Sequence, residues 1–262
     1  MTHCQMLHHF LPILSTRIIR CEDIRHQLPR TTELYGISVP ESIQVGSAPF
    51  TRKHVNIGSS ARCMHDMCWF PPARAYVITT MVNESALNRA VVDARPANVG
   101  SVCSGEGGHN KHTSPSPCPS LNHSTRTILS SGTEKTFLIT FLASKDDKHI
   151  QRGFENSLKS AGADQDVVKT FVEFIQGKVL NKGDTLQVTC LPSEEVAFLT
   201  LRQASGEQYT VGIRRASSLI KALHKLYLID EATEAADWSK SARYVSIARS
   251  IAEQANRVVV VP

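Results

Sequence analysis

The sequence has no uninterrupted apolar run near the length of about 20 residues that a membrane-spanning helix requires. We therefore expect no transmembrane segment. It also has no regular cysteine framework, because its cysteines are odd in number and unevenly spaced along 262 residues. A disulfide scaffold of the kind found in small secreted domains is thus excluded. The cysteines are Cys4, Cys21, Cys63, Cys68, Cys103, Cys118 and Cys190.

Aromatic residues are few, at 6% of the chain, and the net charge of +5 comes from scattered Lys and Arg. A nucleic-acid surface usually combines a basic stripe with aromatic side chains, and this sequence has no such stripe. We therefore expect no nucleic-acid partner. The chain also lacks the G-x-S-x-G turn that carries the nucleophile of many hydrolases.

One short segment carries three side chains that are able to bind zinc, namely Cys63, His65 and Cys68. A structural zinc site normally has four ligands in two short pairs, and no second Cys/His pair in the sequence matches this one. We therefore interpret these residues as soft side chains on and beside a strand. The sequence predicts no metal and no cofactor.

Hydrophobic residues make up 41% of the chain, which is enough for a substantial core, but they are unevenly distributed. Periodic apolar segments follow one another from Phe137 onward. Residues 88–135 contain almost none, and the part from Val99 to Thr133 is crowded with Ser, Gly, Pro, Asn and His. We interpret 88–135 as a flexible insertion in a domain that spans residues 35–256.

The first 34 residues contain Arg17, Arg20, Arg25 and Arg30 but few acidic residues. This composition is typical of an organelle transit peptide, which predicts import into mitochondria or another organelle. The alternative is a disordered or partly helical extension without a targeting role. In that case the protein would be cytoplasmic.

The block after Phe137 predicts one strand, two helices, three strands and two further helices. Thr136 to Leu142 is the first strand, and the helix from Asp146 to Ser160 follows it. Turn residues separate Thr185 to Leu191, Val196 to Arg202 and Gln208 to Arg214, which predicts an antiparallel meander. Strands grouped together with helices on one side indicate an α+β layer architecture.

The helix from Asp146 to Ser160 carries a polar pair, His149 and Asn156, whose spacing of seven residues equals about two helical turns. Both side chains are therefore expected on one face, beside an apolar stripe that contains Phe154. This arrangement suits either a binding pocket or the solvated edge of an ordinary helix.

Several segments, taken as sequences rather than as patterns, occur in the order found in one known family. They are FENSLKSAG, VVKTFVEFIQGKVLNKGDTL, the hairpins that end in YTVGI, SLIKALHKLYL and WSKSARYVSIARSIAEQ, preceded by IGSSARC and RAYVITTMV. In these segments the chain resembles the chalcone isomerase family. The resemblance implies an open-faced β-sandwich, in which a large antiparallel sheet is covered by a layer of helices, with an apolar cleft between them.

The resemblance implies two different functions. Members that make flavonoids close a chalcone to a flavanone, with polar residues that stabilise the developing enolate. Other members bind fatty acids and use a strand Arg and a Tyr to hold the carboxylate. An Arg suits that role because its planar fork pairs with both carboxylate oxygens.

Matched residue by residue, the resemblance separates these branches. Arg62 matches the strand Arg, and Asn156 matches the helix Asn. Tyr76 stands where the enzyme has a Thr, as expected in the fatty-acid-binding branch, and His149 replaces the enzyme's Tyr. Leu226 falls near a Thr of the later helix and has no hydroxyl. The resemblance therefore favours ligand binding over cyclisation.

We thus expect a chalcone-isomerase-like domain that binds a fatty acid or another apolar carboxylate. Arg62 and Tyr76 would hold the head group, and His149 and Asn156 would line the entrance. One alternative is an active intramolecular lyase of the chalcone isomerase type. Another is a partner-binding protein whose insertion makes the contact, although no protein partner is indicated. Each of the four side chains also has a plain structural interpretation, as a surface ion-pair, sheet-packing or solvated helix residue.

Overall fold

A computed structural model of the protein describes residues 32–46, 51–63, 74–93, 123–144, 146–228 and 242–259. Within these ranges the strands are β1 (Thr32–Leu34), β2 (Ile37–Val39), β3 (Ser42–Val45), β4 (Arg52–Cys63), β5 (Arg74–Asn83), β6 (Lys135–Phe141), β7 (Thr185–Leu191), β8 (Val196–Arg202) and β9 (Gln208–Arg214). The helices are α1 (Glu84–Asp93), α2 (His123–Leu129), α3 (Asp147–Ser160), α4 (Gln165–Ile175), α5 (Ser217–Tyr227) and α6 (Ala242–Val259).

Strands β3 to β9 form one antiparallel sheet in which neighbours in sequence are also neighbours in space. Strands β1 and β2 form a separate two-stranded hairpin. The meander predicted for β7, β8 and β9 is confirmed, with Leu191 paired to Val196 and Arg202 paired to Gln208. Short turns are sufficient for these connections because antiparallel neighbours reverse direction locally.

The helices pack on one face of this sheet, as the sequence predicts. Alternate residues of a strand point to opposite faces, and the aromatic ring of Phe137 in β6 contacts His224 and Tyr227 of α5. Ile139 and Phe141 follow at intervals of two and belong to the same buried cluster. The hydrophobic core therefore lies between this face of the sheet and the helical layer.

Helix α3 has the ends that its sequence predicts. The Asp146 side chain accepts a hydrogen bond from the backbone N–H of His149 at 2.8 Å, which satisfies an otherwise unpaired donor of the first turn. At the other end Gly162 has φ of +94°, and its N–H bonds to the carbonyl of Lys159 at 3.0 Å. This is a C-terminal cap that favours glycine.

The range predicted as a flexible insertion, 88–135, has helical structure at both ends. Residues up to Asp93 belong to α1, and α2 begins at His123. Both helices bury apolar side chains, including Leu87 in α1 and Ile128 in α2. Residues 94–122 lie outside the described residues, as do His65, Cys68 and the extension before Thr32.

Three buried titratable side chains, Lys135, Cys190 and His224, lie in the core where α5 packs on the sheet. Lys135 is fully buried and lies directly across from Cys190 in the register of β6 and β7. Its ammonium donates hydrogen bonds to the carbonyl oxygens of Ser130 and Thr133. Burial lowers the pKa of Lys135 to about 7, against the weaker effect of the neighbouring Cys190. Burial and the nearby Lys135 also lower the pKa of His224 well below its ordinary value.

Candidate ligand-binding cleft

A cleft with a cavity volume of about 150 Å³ opens between the helical layer and one end of strands β4 to β6. Most of its surface is apolar or aromatic, with a cation and several hydroxyls among the apolar groups. This composition is typical of small-molecule sites, in which a few polar groups orient a largely apolar ligand. The described lining residues are Arg62, Ala75, Tyr76, Phe141, His149, Ile150, Gly153, Phe154, Ser157 and Tyr227.

Three of these residues form one row across the sheet. Arg62 in β4 pairs directly with Tyr76 in β5, and Tyr76 pairs with Phe141 in β6. Directly opposed residues of antiparallel strands have Cβ atoms about 5 Å apart and point to the same face. The register therefore places Arg62 and Tyr76 next to each other, and both line the cleft.

Tyr76 connects the sheet to both neighbouring helices. Its ring stacks on that of Phe154 in α3, with centroids 6.3 Å apart and planes inclined by 14°. Its hydroxyl oxygen lies 2.9 Å from the hydroxyl oxygen of Tyr227 in α5. Two tyrosines that are 151 residues apart in the sequence thus form a hydrogen-bonded pair in the cleft wall.

Tyr227 lines the cleft although no sequence pattern identifies it. The resemblance directed attention to Leu226, but that side chain belongs to the buried hydrophobic cluster and is only 5% exposed. Adjacent helical residues point about 100° apart, so a shift of one position decides which of them reaches the cleft. The available signal was that Tyr227 is the one tyrosine in this helix.

Helix α3 contributes one side of the cleft, and only one residue of the predicted polar pair belongs to the described lining. His149 lines the cleft, together with Gly153 and Ser157, while its side chain is solvent-exposed. Asn156 is exposed and is not among the described lining residues. Seven residues correspond to about 700° of helical rotation, so Asn156 lies about 20° from His149, on the side away from Gly153.

The electrostatic character of the cleft favours an anionic group. Its described lining residues include the cation Arg62, the imidazole of His149 and the hydroxyls of Tyr76, Tyr227 and Ser157, but neither Asp nor Glu. A carboxylate at this site would gain charge-assisted hydrogen bonds without repulsion from a lining acid. The apolar rings of the cleft would contact the remainder of such a ligand.

A second polar cluster lies on the opposite face of the sheet. His54 contacts the Glu134 carboxylate through Nε2 and the Thr136 hydroxyl through Nδ1, each at 2.9 Å. Arg52 donates to the other Glu134 oxygen at 2.8 Å. Burial opposes the charged form of Glu134, but hydrogen bonds from His54 and Arg52 outweigh it and lower the pKa of this carboxyl. Since His54 and Thr136 are fully buried, we interpret this cluster as structural.

Two properties of the described part of the chain bear on function. It has no cluster of three or more His, Cys, Asp or Glu side chains arranged to hold a metal ion. Among its helices, none combines the length and apolar character needed to cross a membrane.

Comparison with known proteins identifies the fold. No protein-family model and no curated protein sequence matches the chain. Among solved structures it is similar to a fatty-acid binding protein of Arabidopsis thaliana, with a TM-score of 0.50 and 14% sequence identity over 84% of this chain and 96% of that chain. The α+β fold is therefore chalcone isomerase-like, as the sequence predicts.

Proposed function

We propose that the cleft binds a small apolar ligand that carries a carboxylate, such as a fatty acid. The observation that supports this most directly is the pairing of Arg62 with Tyr76 at an apolar cleft whose described lining has no acidic residue. The fatty-acid binding activity named for the Arabidopsis thaliana structure is consistent with the same chemistry.

The polar lining residues have distinct parts in this proposal. Arg62 pairs with both carboxylate oxygens, since its planar guanidinium matches their spacing. The Tyr76 hydroxyl, oriented by Tyr227, donates to one of them. His149 lies at the entrance, where its ring is accessible to solvent. Asn156, which is exposed and outside the described lining, is given no part in holding the carboxylate.

Cyclisation of a chalcone has less support. By the resemblance, the helix position at which the isomerases carry a hydroxyl falls near Leu226, whose side chain belongs to the core. By the same match, His149 stands at the position of the isomerase Tyr. Both differences favour carboxylate binding over cyclisation.

The test begins with protein from which lipid has been removed. Octanoate is titrated by calorimetry into the wild type, Arg62→Ala and the control Arg152→Ala, which removes an exposed cation of α3 outside the described cleft lining. We expect Arg62→Ala to weaken binding about 10- to 100-fold, the effect of losing hydrogen bonds to a charged group. Arg152→Ala should retain affinity within about twofold. Equal affinity of the wild type and Arg62→Ala would contradict the proposal.

A further inference from the structure

The backbone conformation of α3 does not require a glycine at position 153. Gly153 lies in the interior of α3, where glycine destabilises a helix relative to alanine. Its φ is not in the positive region that favours glycine. Outside its own helix backbone, a Cβ atom built on Gly153 would have no heavy atom of the described residues within 4 Å, so packing among these residues does not require its absence either.

Gly58 provides the contrast within the same protein. A Cβ atom at Gly58 would lie 3.0 Å from both the Cα and the carbonyl oxygen of Ile251, so the approach of α6 to β4 accounts for that glycine. Among the described residues, no comparable neighbour accounts for Gly153. Gly153 is solvent-exposed and is one of the described residues that line the cleft. Within the described part of the chain, its missing side chain leaves the cleft open on this side.

The volume of the cleft limits the size of the apolar group that it can hold. Its volume is about 150 Å³, and a cavity of this volume in another protein holds one benzene molecule. An apolar group of about six carbons is therefore expected to fill it. The rings of Tyr76, Phe141 and Phe154 and the side chain of Ile150 surround that space.

We propose that the cleft selects compact carboxylates, with a phenyl group or a short alkyl chain as the apolar part, and that Gly153 forms the opening through which they enter. This inference rests on the proposed carboxylate-binding function. The carboxylate pairs with Arg62, and about six carbons fill the space beside Phe154. Additional carbons of a longer chain extend past Gly153 into solvent and add little affinity.

A series of straight-chain carboxylates tests the size limit. Chains from butanoate to palmitate are titrated into lipid-free protein below their critical micelle concentrations. Each buried methylene should raise affinity about fourfold, up to about octanoate, after which affinity should remain within about threefold of a plateau. A rise that continues at fourfold per methylene from octanoate to palmitate would overturn the size limit while leaving carboxylate binding intact.

Variants at Gly153 test the opening. Gly153→Leu should weaken octanoate binding at least tenfold because its side chain fills the opening. Arg152→Leu, an exposed neighbour outside the described lining, should not weaken it. Gly153→Ala should raise Tm by about 2–4 °C, which verifies that this glycine is not needed for folding. Unchanged octanoate affinity in a folded Gly153→Leu variant would overturn the assignment of Gly153.

The experiments distinguish a failure of the size limit from a failure of carboxylate binding. If no carboxylate of any length binds the wild type, both the size limit and the proposed function are wrong. If carboxylates bind and Arg62→Ala weakens them, the function stands, and only the chain-length series and the Gly153→Leu variant decide the size limit.

Discussion

At the scale of single residues, the cleft depends on a pair of phenols that no local sequence pattern identifies. Tyr76 belongs to a strand and Tyr227 to a helix, and their hydroxyl oxygens are 2.9 Å apart. Tyr227 is buried, so its hydroxyl is hydrogen-bonded in a region with little access to water. The pair therefore ties the sheet to α5 at the cleft wall.

A double-mutant cycle measures this connection. Tyr76→Phe, Tyr227→Phe and the double variant each remove a hydroxyl and retain the ring. We expect a coupling free energy of about 1 kcal/mol, the usual net value of a hydrogen bond, in the free energy of unfolding by urea. Additive single effects, with no coupling, would show that the two hydroxyls do not interact in solution.

Lys135 makes the stability of the protein depend on pH. Burial lowers its pKa to about 7 in the folded state, from 10.5 in the unfolded chain. Between these values the unfolded chain binds more protons than the folded chain, so the free energy of unfolding rises with pH. This contribution is fully present above pH 10.5 and is lost as pH falls through 7.

The comparison of wild type with Lys135→Met between pH 7 and pH 9 isolates this effect. We expect the wild type to gain roughly 2 kcal/mol in free energy of unfolding relative to the variant over this interval, measured by denaturant titration. Burial raises the pKa of Cys190 to about 12, and this residue is common to both proteins. Parallel pH profiles for the two proteins would contradict the assignment to Lys135.

At the scale of secondary-structure elements, the close packing of α6 on β4 holds the strand that carries Arg62. The Gln254 side chain accepts a hydrogen bond from the Ser59 backbone N–H at 3.1 Å and donates one to the Ser59 carbonyl at 2.8 Å. These bonds lie next to Gly58, where the helix backbone comes closest to the strand. A β-bulge between Asn56 and Gly58 is also present at this point.

Gly58→Ala tests the importance of this approach. Its Cβ would lie 3.0 Å from backbone atoms of Ile251, which cannot move away as a flexible side chain would. We expect a loss of about 1–3 kcal/mol in the free energy of unfolding, as in other overpacked cores. The control is Gly132→Ala, whose Cβ would have no neighbour within 4 Å among the described residues. A similar small effect in both variants would contradict the close packing.

Sequence patterns predicted the elements whose signals are local. The bounds of β7, β8 and β9 agree with prediction because turn residues delimit them. Gly183 precedes β7 and Gly206 lies between β8 and β9, and both have positive φ in the structure. The helix predicted from Asp146 to Ser160 agrees with α3 to within one residue. Helices α1 and α2 were missed because their polar surroundings concealed short apolar stripes.

At the scale of the whole molecule, the fold could be predicted further than the site. The order of strands and helices was sufficient for the α+β architecture, and the resemblance named Arg62 and Tyr76 as candidate ligand-binding residues. Their pairing across β4 and β5 came from the structure. Tyr227 and Gly153 could not be found in this way, because their places in the cleft lining depend on how α3 and α5 meet the sheet. Such contacts between distant elements leave no periodic signal in the sequence.

The central claim is that Arg62 recognises a carboxylate in the cleft. Binding of octanoate and of its neutral amide is compared in the wild type and in Arg62→Ala, so that the apolar part of the ligand stays constant. The wild type should prefer octanoate about 10- to 100-fold, and the preference should fall to less than threefold in Arg62→Ala. An equal preference for octanoate in both proteins would contradict the account.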